Sequence, residues 1–371
     1  MDQYTLRSVL PPLLNCHSYT TKERLEKAES DELSNLKKPK GRRGTIDTSD
    51  YESDDEATNS CLADEDPLLL HEDDLFDTTL MSSSPTNTKV NSAANYFQNL
   101  KNISNNLESE RYLGDIRVKV AILGTGLHSL HPLDHEFNHY KEFIEPSTAF
   151  GHVKYSRHDF RMASLLRKVA PFCEIYIARV FDGGPIELNS AIPAAKAIIH
   201  ARDVWKLDII SMSFGFKDEN AELLKAINDT HNTLIFAAAS NYGANEDPPI
   251  RFPARMKDRV ICINAADGYG NPSECNPPNP KRENFSVLGE AVPLDGELVT
   301  GSKPSVKYGC GTSMETQIAA GVAALVLEFA RQDQDRPHRV RDVESLRTKC
   351  GMSAVLRAMT KGGARKEVIT S

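Results

Sequence analysis

Ser313 stands in the run Gly311-Thr312-Ser313-Met314, just before a long stretch of small apolar residues. A serine at a strand-to-helix turn presents its hydroxyl outward. The first N–H groups of the helix have no partner inside it and can stabilise a developing oxyanion. An N-cap serine has the same local sequence. Asn241, in Ala237-Ala238-Ala239-Ser240-Asn241-Tyr242-Gly243, ends an apolar strand-like run. Ligands of open α/β sheets bind at strand carboxyl ends, so its amide reads as an oxyanion donor or as an ordinary turn residue. His158 opens the helical run His158-Asp159-Phe160-Arg161-Met162-Ala163-Ser164. Histidine is the usual base for activating a serine, because its pKa lies near working pH; a lone histidine at a helix start also occurs without function. Singly, none of the three decides between chemistry and structure.

The elements that must position these residues are legible from texture. Apolar, β-branched runs occur at 118–123, 175–181, 208–214, 233–239 and 260–265. Helical patterns lie between them at about 158–168, 188–206 and 219–230, and a small-residue helix runs from Ser313 to Arg331. Continuous apolar strands alternating with helices predict an α/β fold, a mostly parallel sheet with helices on both faces. A final helix is expected over 342–360.

The chain has 371 residues, 40% hydrophobic and 26% charged, with a net charge of −8. Residues 1–115 hold 12 of the 44 basic side chains and 22 of the 52 acidic ones, so all the net acidity lies there. Lys37 to Arg43 reads KKPKGRR, either a nuclear-import signal or a common basic run, and 44–77 contains acids without Lys or Arg. Ser53, before Asp54-Asp55-Glu56, is a phosphorylation candidate. Such segregated charge buries too little apolar surface to offset the entropy of ordering. The predicted organisation is a mostly disordered acidic arm (1–92), a short linker helix (93–115, with Tyr96, Phe97, Leu100, Ile103 and Leu107 as its apolar face), a catalytic-type domain (116–335) and a C-terminal helix and tail (336–371). Met1-Asp2-Gln3-Tyr4 carries an acid and no apolar core, so no secretory leader is expected. The longest apolar stretch, Ile318 to Leu327, is half of what a membrane span needs. Cys16, Cys61, Cys173, Cys262, Cys275, Cys310 and Cys350 form no CxxC pair, which predicts reduced thiols and an intracellular, cytoplasmic setting. A pI near 5.8 argues against nucleic acid. No metal or cofactor is expected, and no membrane partner.

The order of these features resembles the subtilisin-like serine peptidases (subtilases) from Val118 to Gln332. GTSM, followed by Thr316 and Ala320-Gly321-Val322-Ala323-Ala324, is similar to that family's GTSMATPxxAGxAA block. The resemblance implies that Ser313 is the nucleophile, Asn241 the oxyanion amide and His158 the first histidine of a GHGTHVAG-like segment. It implies that Ser213, Phe214 and Gly215 pair with an extended substrate peptide, with affinity from main-chain bonds and specificity from pockets.

The departures from the family pattern matter as much. Where subtilases read V-x-V-(I/L)-D-(T/S)-G, this chain reads Val120-Ala121-Ile122-Leu123-Gly124-Thr125-Gly126, so Gly124 occupies the catalytic aspartate's place. Without that carboxylate nothing there orients the imidazole, a loss of roughly 10⁴-fold in turnover. Asp159 is adjacent to His158, but consecutive helical residues point to different faces; Asp134 would need an unusual loop return. The alanine after GTSM's methionine is Glu315, the proline position is Gln317, and the second histidine is Arg161. Asp159 and Phe160 add charge and bulk near the cleft. Arg161 and Glu315 are expected to compensate one another, since a buried unpaired charge is costly. The expectation is a serine-type endopeptidase homologue of strongly impaired activity. The alternatives are a pseudoprotease that binds extended peptides and an intracellular interaction or signalling module.

Overall fold

Five apolar runs become adjacent parallel strands because each is buried on both faces. The computed structural model describes residues 15–16, 79–80, 84–109, 117–127, 139–144, 157–182, 190–241, 249–278, 284–294, 307–332 and 342–360. In chain order the elements are β1 (Asn15–Cys16), β2 (Thr79–Leu80), α1 (Asn87–Ser109), β3 (Lys119–Gly124), β4 (His139–Glu142), α2 (Arg157–Val169), β5 (Glu174–Arg179) and α3 (Ala191–His200). There follow β6 (Ile209–Met212), α4 (Ala221–Asn228), β7 (Leu234–Ala238), β8 (Val260–Ala266), β9 (Phe285–Leu288), β10 (Val292–Leu294), β11 (Lys307–Cys310), α5 (Thr312–Arg331) and α6 (Lys349–Ala358).

The main sheet runs β1-β9-β8-β7-β6-β3-β5-β4. Seven strands are parallel, and β1 closes one edge antiparallel to β9. One hydrophobic cluster joins one sheet face to α1, α2, α5 and α6; a second joins the other face to α3 and α4. The α/β fold is therefore present as expected. Chain order reverses at β3, whose neighbours are β5 on one side and β6 on the other. The carboxyl ends beside such a switch point form the crevice in which α/β sheets bind ligands.

Several boundaries differ from the sequence expectation. Helix α1 begins at Asn87, inside the stretch expected to lack structure, and β2 pairs with β11. Its apolar face is as expected: Tyr96, Phe97, Leu100, Ile103 and Leu107 are buried. The helix expected over 188–206 is an α-helix to His200 and one π turn over Ala201–Trp205, closed by Lys206 at φ 54°. The wide turn brings Trp205 against His200, Phe143 and Tyr176. The single C-terminal helix is a 3₁₀ turn, Glu344–Arg347, and then α6, divided at Thr348. Thr348 is extended, and its hydroxyl accepts from the Gly351 N–H, so it caps a new helix instead of continuing the old one. β4, β9, β10 and β11 were not expected, being only three or four residues long, with β4 a largely exposed polar edge strand. The basic run, the acidic runs, Ser53, Asp134 and the tail after 360 lie outside the described residues.

Helix α5 is long and apolar enough to cross a membrane by length and composition, and it is buried within the domain. It lies against α2 at Gly321, where a side chain would approach Val169 Cγ1 to 2.6 Å and Leu166 Cδ1 to 3.5 Å. Small residues let the two backbones come this close.

Candidate active site

The turn from β11 into α5 passes through Gly311 at φ 138°, a conformation that disfavours any side chain. Its N–H donates to the Gly289 carbonyl, 3.2 Å. Ser313 is then the second residue of α5, with first-turn N–H groups around it that the helix does not use. The Thr312 N–H donates to Asn241 Oδ1 at 2.6 Å. Because a main-chain N–H needs an acceptor, the atom of Asn241 that meets Thr312 is the carboxamide oxygen, and its NH₂ group is not used in this contact.

Ser213, which follows β6, makes hydrogen bonds through both its side chain and its main chain. Its Oγ donates to the Ser313 carbonyl at 3.0 Å and accepts from Gln317 Nε2 at 3.1 Å. The Ser313 hydroxyl donates to the Ser213 carbonyl at 3.3 Å, long for an O–H···O bond and so a weak restraint on the hydroxyl. Gln317, one of the departures noted in the sequence, thus has a partner. The side-chain role of Ser213 was not legible in advance, since it depends on a residue 100 positions away. Phe214 is buried against Phe181 and Phe216, ring centroids 4.8 and 5.7 Å away, and Gly215 abuts Arg251, whose Cβ would lie 2.6 Å from an added side chain.

His158 and Asp159 are the second and third residues of α2, and here one expectation is overturned. Asp159 does not point away from the imidazole: its Oδ1 lies 3.0 Å from His158 Nδ1. Adjacent helical residues are about 100° apart, which separates side chains in a helix interior. In the first turn, side chains lean toward an open N-terminus with no preceding turn between them. Nδ1 is also the ring nitrogen nearer the backbone, within reach of a short aspartate. The other carboxylate oxygen, Oδ2, accepts from the Gly126 N–H at 2.7 Å. Gly126 has φ +87°, and Tyr140 Oη would stand 2.8 Å from any Cβ there. The place at Gly124 is not empty. An added Cβ would fall 2.6 Å from Asp159 Cγ and closer still to both oxygens.

The α2–α5 crossing brings these groups to the same end of the sheet. Leu166 and Val169 meet Gly321 there, and His158 and Ser313 each stand about two to three turns before that point. Both helices begin at the carboxyl ends of the strands, where Gly124 ends β3 and Ser213 and Asn241 follow β6 and β7. His158, Asp159 and Ser313 are buried, at 3%, 1% and 3% exposure.

The expected pairing of Arg161 with Glu315 is not present. Neither carboxyl oxygen of Glu315 has a hydrogen-bond partner among the described residues. Arg161 instead lines a crevice with Ser164, Leu165, Pro293 and Leu294. The Glu315 carboxyl lies over Gly289, fully buried, and burial raises its pKa well above the usual carboxyl value. The N–H groups of Glu315 and Gly311 draw it part of the way back without reaching hydrogen-bond geometry, and Glu290 adds repulsion. Among the described residues no group of His, Cys, Asp and Glu side chains gathers to hold a metal ion.

Residues 116–360 match the family model for the subtilase family, Peptidase S8. The chain is 26% identical over 299 residues to the subtilisin-like protease het-Q2 of Podospora anserina, a match covering 65% of this chain and 79% of that protein. It is 31% identical over 222 residues to M-protease of Shouchella clausii strain KSM-K16, covering 56% of this chain and 53% of the relative. Among solved structures, the prenylagaramide maturation protease PagA is similar at 25% identity and a TM-score of 0.48, covering 66% of this chain and 85% of that one.

Proposed function

The chain belongs to the subtilase family, and from that premise we propose that it is a serine-type endopeptidase acting on extended peptides. One observation carries the reading: Ser313 and Asn241 are joined into one unit by the bond from the Thr312 N–H to the Asn241 carboxamide. A nucleophile at a buried helix start, tied through its neighbour to the residue proposed as oxyanion donor, is held near the geometry that developing charge requires, which is where such sites gain most of their rate.

In this mechanism the Ser313 hydroxyl leaves the Ser213 carbonyl and attacks the peptide carbonyl carbon. His158 takes its proton through Nε2, since Nδ1 is engaged by Asp159. The oxyanion accepts hydrogen bonds from the Asn241 amide and the Ser313 N–H. His158 then donates the proton to the leaving amine, and water completes hydrolysis of the acyl-enzyme by the same route. The peptide adds as a strand along Ser213, Phe214 and Gly215.

A second reading, a domain that binds extended peptides without cutting them, is favoured by one feature. His158 and Ser313 are almost fully buried, which leaves little of either side chain open to a peptide carbonyl. A fluorophosphonate probe separates the two readings. Covalent labelling of the native chain that disappears in Ser313→Ala supports the peptidase; equal labelling of both proteins removes it and leaves peptide binding.

A further inference from the structure

Asp159 deepens this catalytic reading, and its role rests on it. We infer that Asp159 is the acid that orients His158, and that residue 124 is glycine because the Asp159 carboxylate fills the space a side chain would need there.

Three features of the geometry converge on this assignment. Asp159 Oδ1 is 3.0 Å from His158 Nδ1. An ionised carboxylate only accepts, so the ring proton resides on Nδ1 and the lone pair on Nε2, the nitrogen that must receive the Ser313 proton. Second, Oδ2 is held by the Gly126 N–H at 2.7 Å. The carboxylate is therefore fixed from the strand side as well as from the helix, and it holds the ring in one rotamer. Third, an added Cβ at residue 124 would stand 2.6 Å from Asp159 Cγ. Gly124 is thus the clearance through which a carboxylate from α2 reaches the end of β3. An aspartate at 124 would project its own carboxylate into the same volume, provided residue 159 gave it up. Glycine and aspartate at these two positions are interchangeable as a pair and incompatible singly. Asp159 touches the histidine and not the peptide, so it is a positioning residue.

The experiment uses the full chain with Asp159→Asn, Gly124→Asp and the exchange Gly124→Asp/Asp159→Gly, with Ser313→Ala as the blank. Peptide hydrolysis and the tautomer of His158, read by nitrogen NMR, are measured for each. Asp159→Asn is expected to lower kcat by about 10⁴-fold with KM nearly unchanged, the loss that follows when a triad acid is made neutral elsewhere. It should also move the ring proton from Nδ1 to Nε2, which loss of packing alone would not do. Gly124→Asp alone should lose activity, and the exchange should return it to within about tenfold of native. Native turnover and an Nδ1 proton retained in Asp159→Asn would overturn the inference, and that pair of readings decides it even if the exchange variant does not fold. A native chain that hydrolyses no faster than Ser313→Ala would overturn the peptidase reading and this inference with it. Ser313-dependent turnover indifferent to residue 159 would overturn this inference alone.

Discussion

Asp159 and Glu315 are two buried carboxyl groups in the first turns of two packed helices, each lying over a glycine, yet their hydrogen-bond surroundings are opposite. Over Gly124, Asp159 has the His158 ring on one oxygen and the Gly126 N–H on the other. Over Gly289, Glu315 has no hydrogen-bond partner on either oxygen among the described residues, and burial raises its pKa. A helix start favours a negative charge in both places by the same modest amount, ~0.3–1 kcal/mol. That amount cannot hold an unpartnered carboxylate away from water, whose cost is several kcal/mol. The difference therefore comes from partners supplied by other elements. Partnered, a buried carboxylate orients a base; without partners, it takes up a proton and fills space.

Three substitutions probe that contrast. Gly124→Ala should have the largest effect, because its methyl group must displace the Asp159 carboxylate. Ser313-dependent kcat should fall toward the ~10⁴-fold loss of a missing triad acid, measured by steady-state hydrolysis. A smaller loss would mean that the carboxylate reaches His158 by another path. Gly289→Ala makes the matching intrusion on the other side, 2.5 Å from Glu315 Cγ. There the expected cost is stability, about 1–3 kcal/mol as for other overpacked cores, read from denaturant unfolding, with turnover per folded molecule changed less than about tenfold. An equal collapse of turnover would break the distinction between the two glycines.

The smallest effect is a pH slope. The folded Glu315 has its pKa raised above 4.5, so the folded chain holds a proton that the unfolded chain releases. Below 4.5 both states are protonated and there is no penalty. From 4.5 upward to the raised value, stability should fall by up to ~1.4 kcal/mol per pH unit, levelling off above it. Glu315→Gln removes this slope, so its stability advantage should grow with pH across that window. Parallel stability curves for the two proteins would show that the group is not held neutral.

The same two carboxyls mark how far the sequence could be read. Strands β3, β5, β6, β7 and β8 and helices α2, α4 and α5 were legible because apolar runs and helical spacing are local signals. The strands β4, β9, β10 and β11, three or four residues long, were too short to stand out, and β4 is polar as well. Ser313, His158 and Asn241 stood out only jointly, through the resemblance of their order and motifs to the subtilase pattern, since singly none of them separates chemistry from structure. Asp159 was misjudged by a rule sound for helix interiors, applied to a first turn where nothing separates neighbouring side chains. Arg161 and Glu315 were matched by charge alone, but Glu315 is buried over Gly289 while Arg161 faces Pro293 and Leu294.

Sequence by itself determined the parallel sheet and the order of its helices, because each is set by neighbours within a few residues, while the parts proposed for Ser313 and His158 come from the resemblance of their motifs to the subtilase pattern. Only the tertiary structure decided which acid meets His158. That outcome requires the end of β3, the left-handed turn at Gly126 and the first turn of α2 to converge within hydrogen-bond distance. Contacts between segments more than 30 residues apart are fixed by how the elements pack, and local spacing carries no record of them.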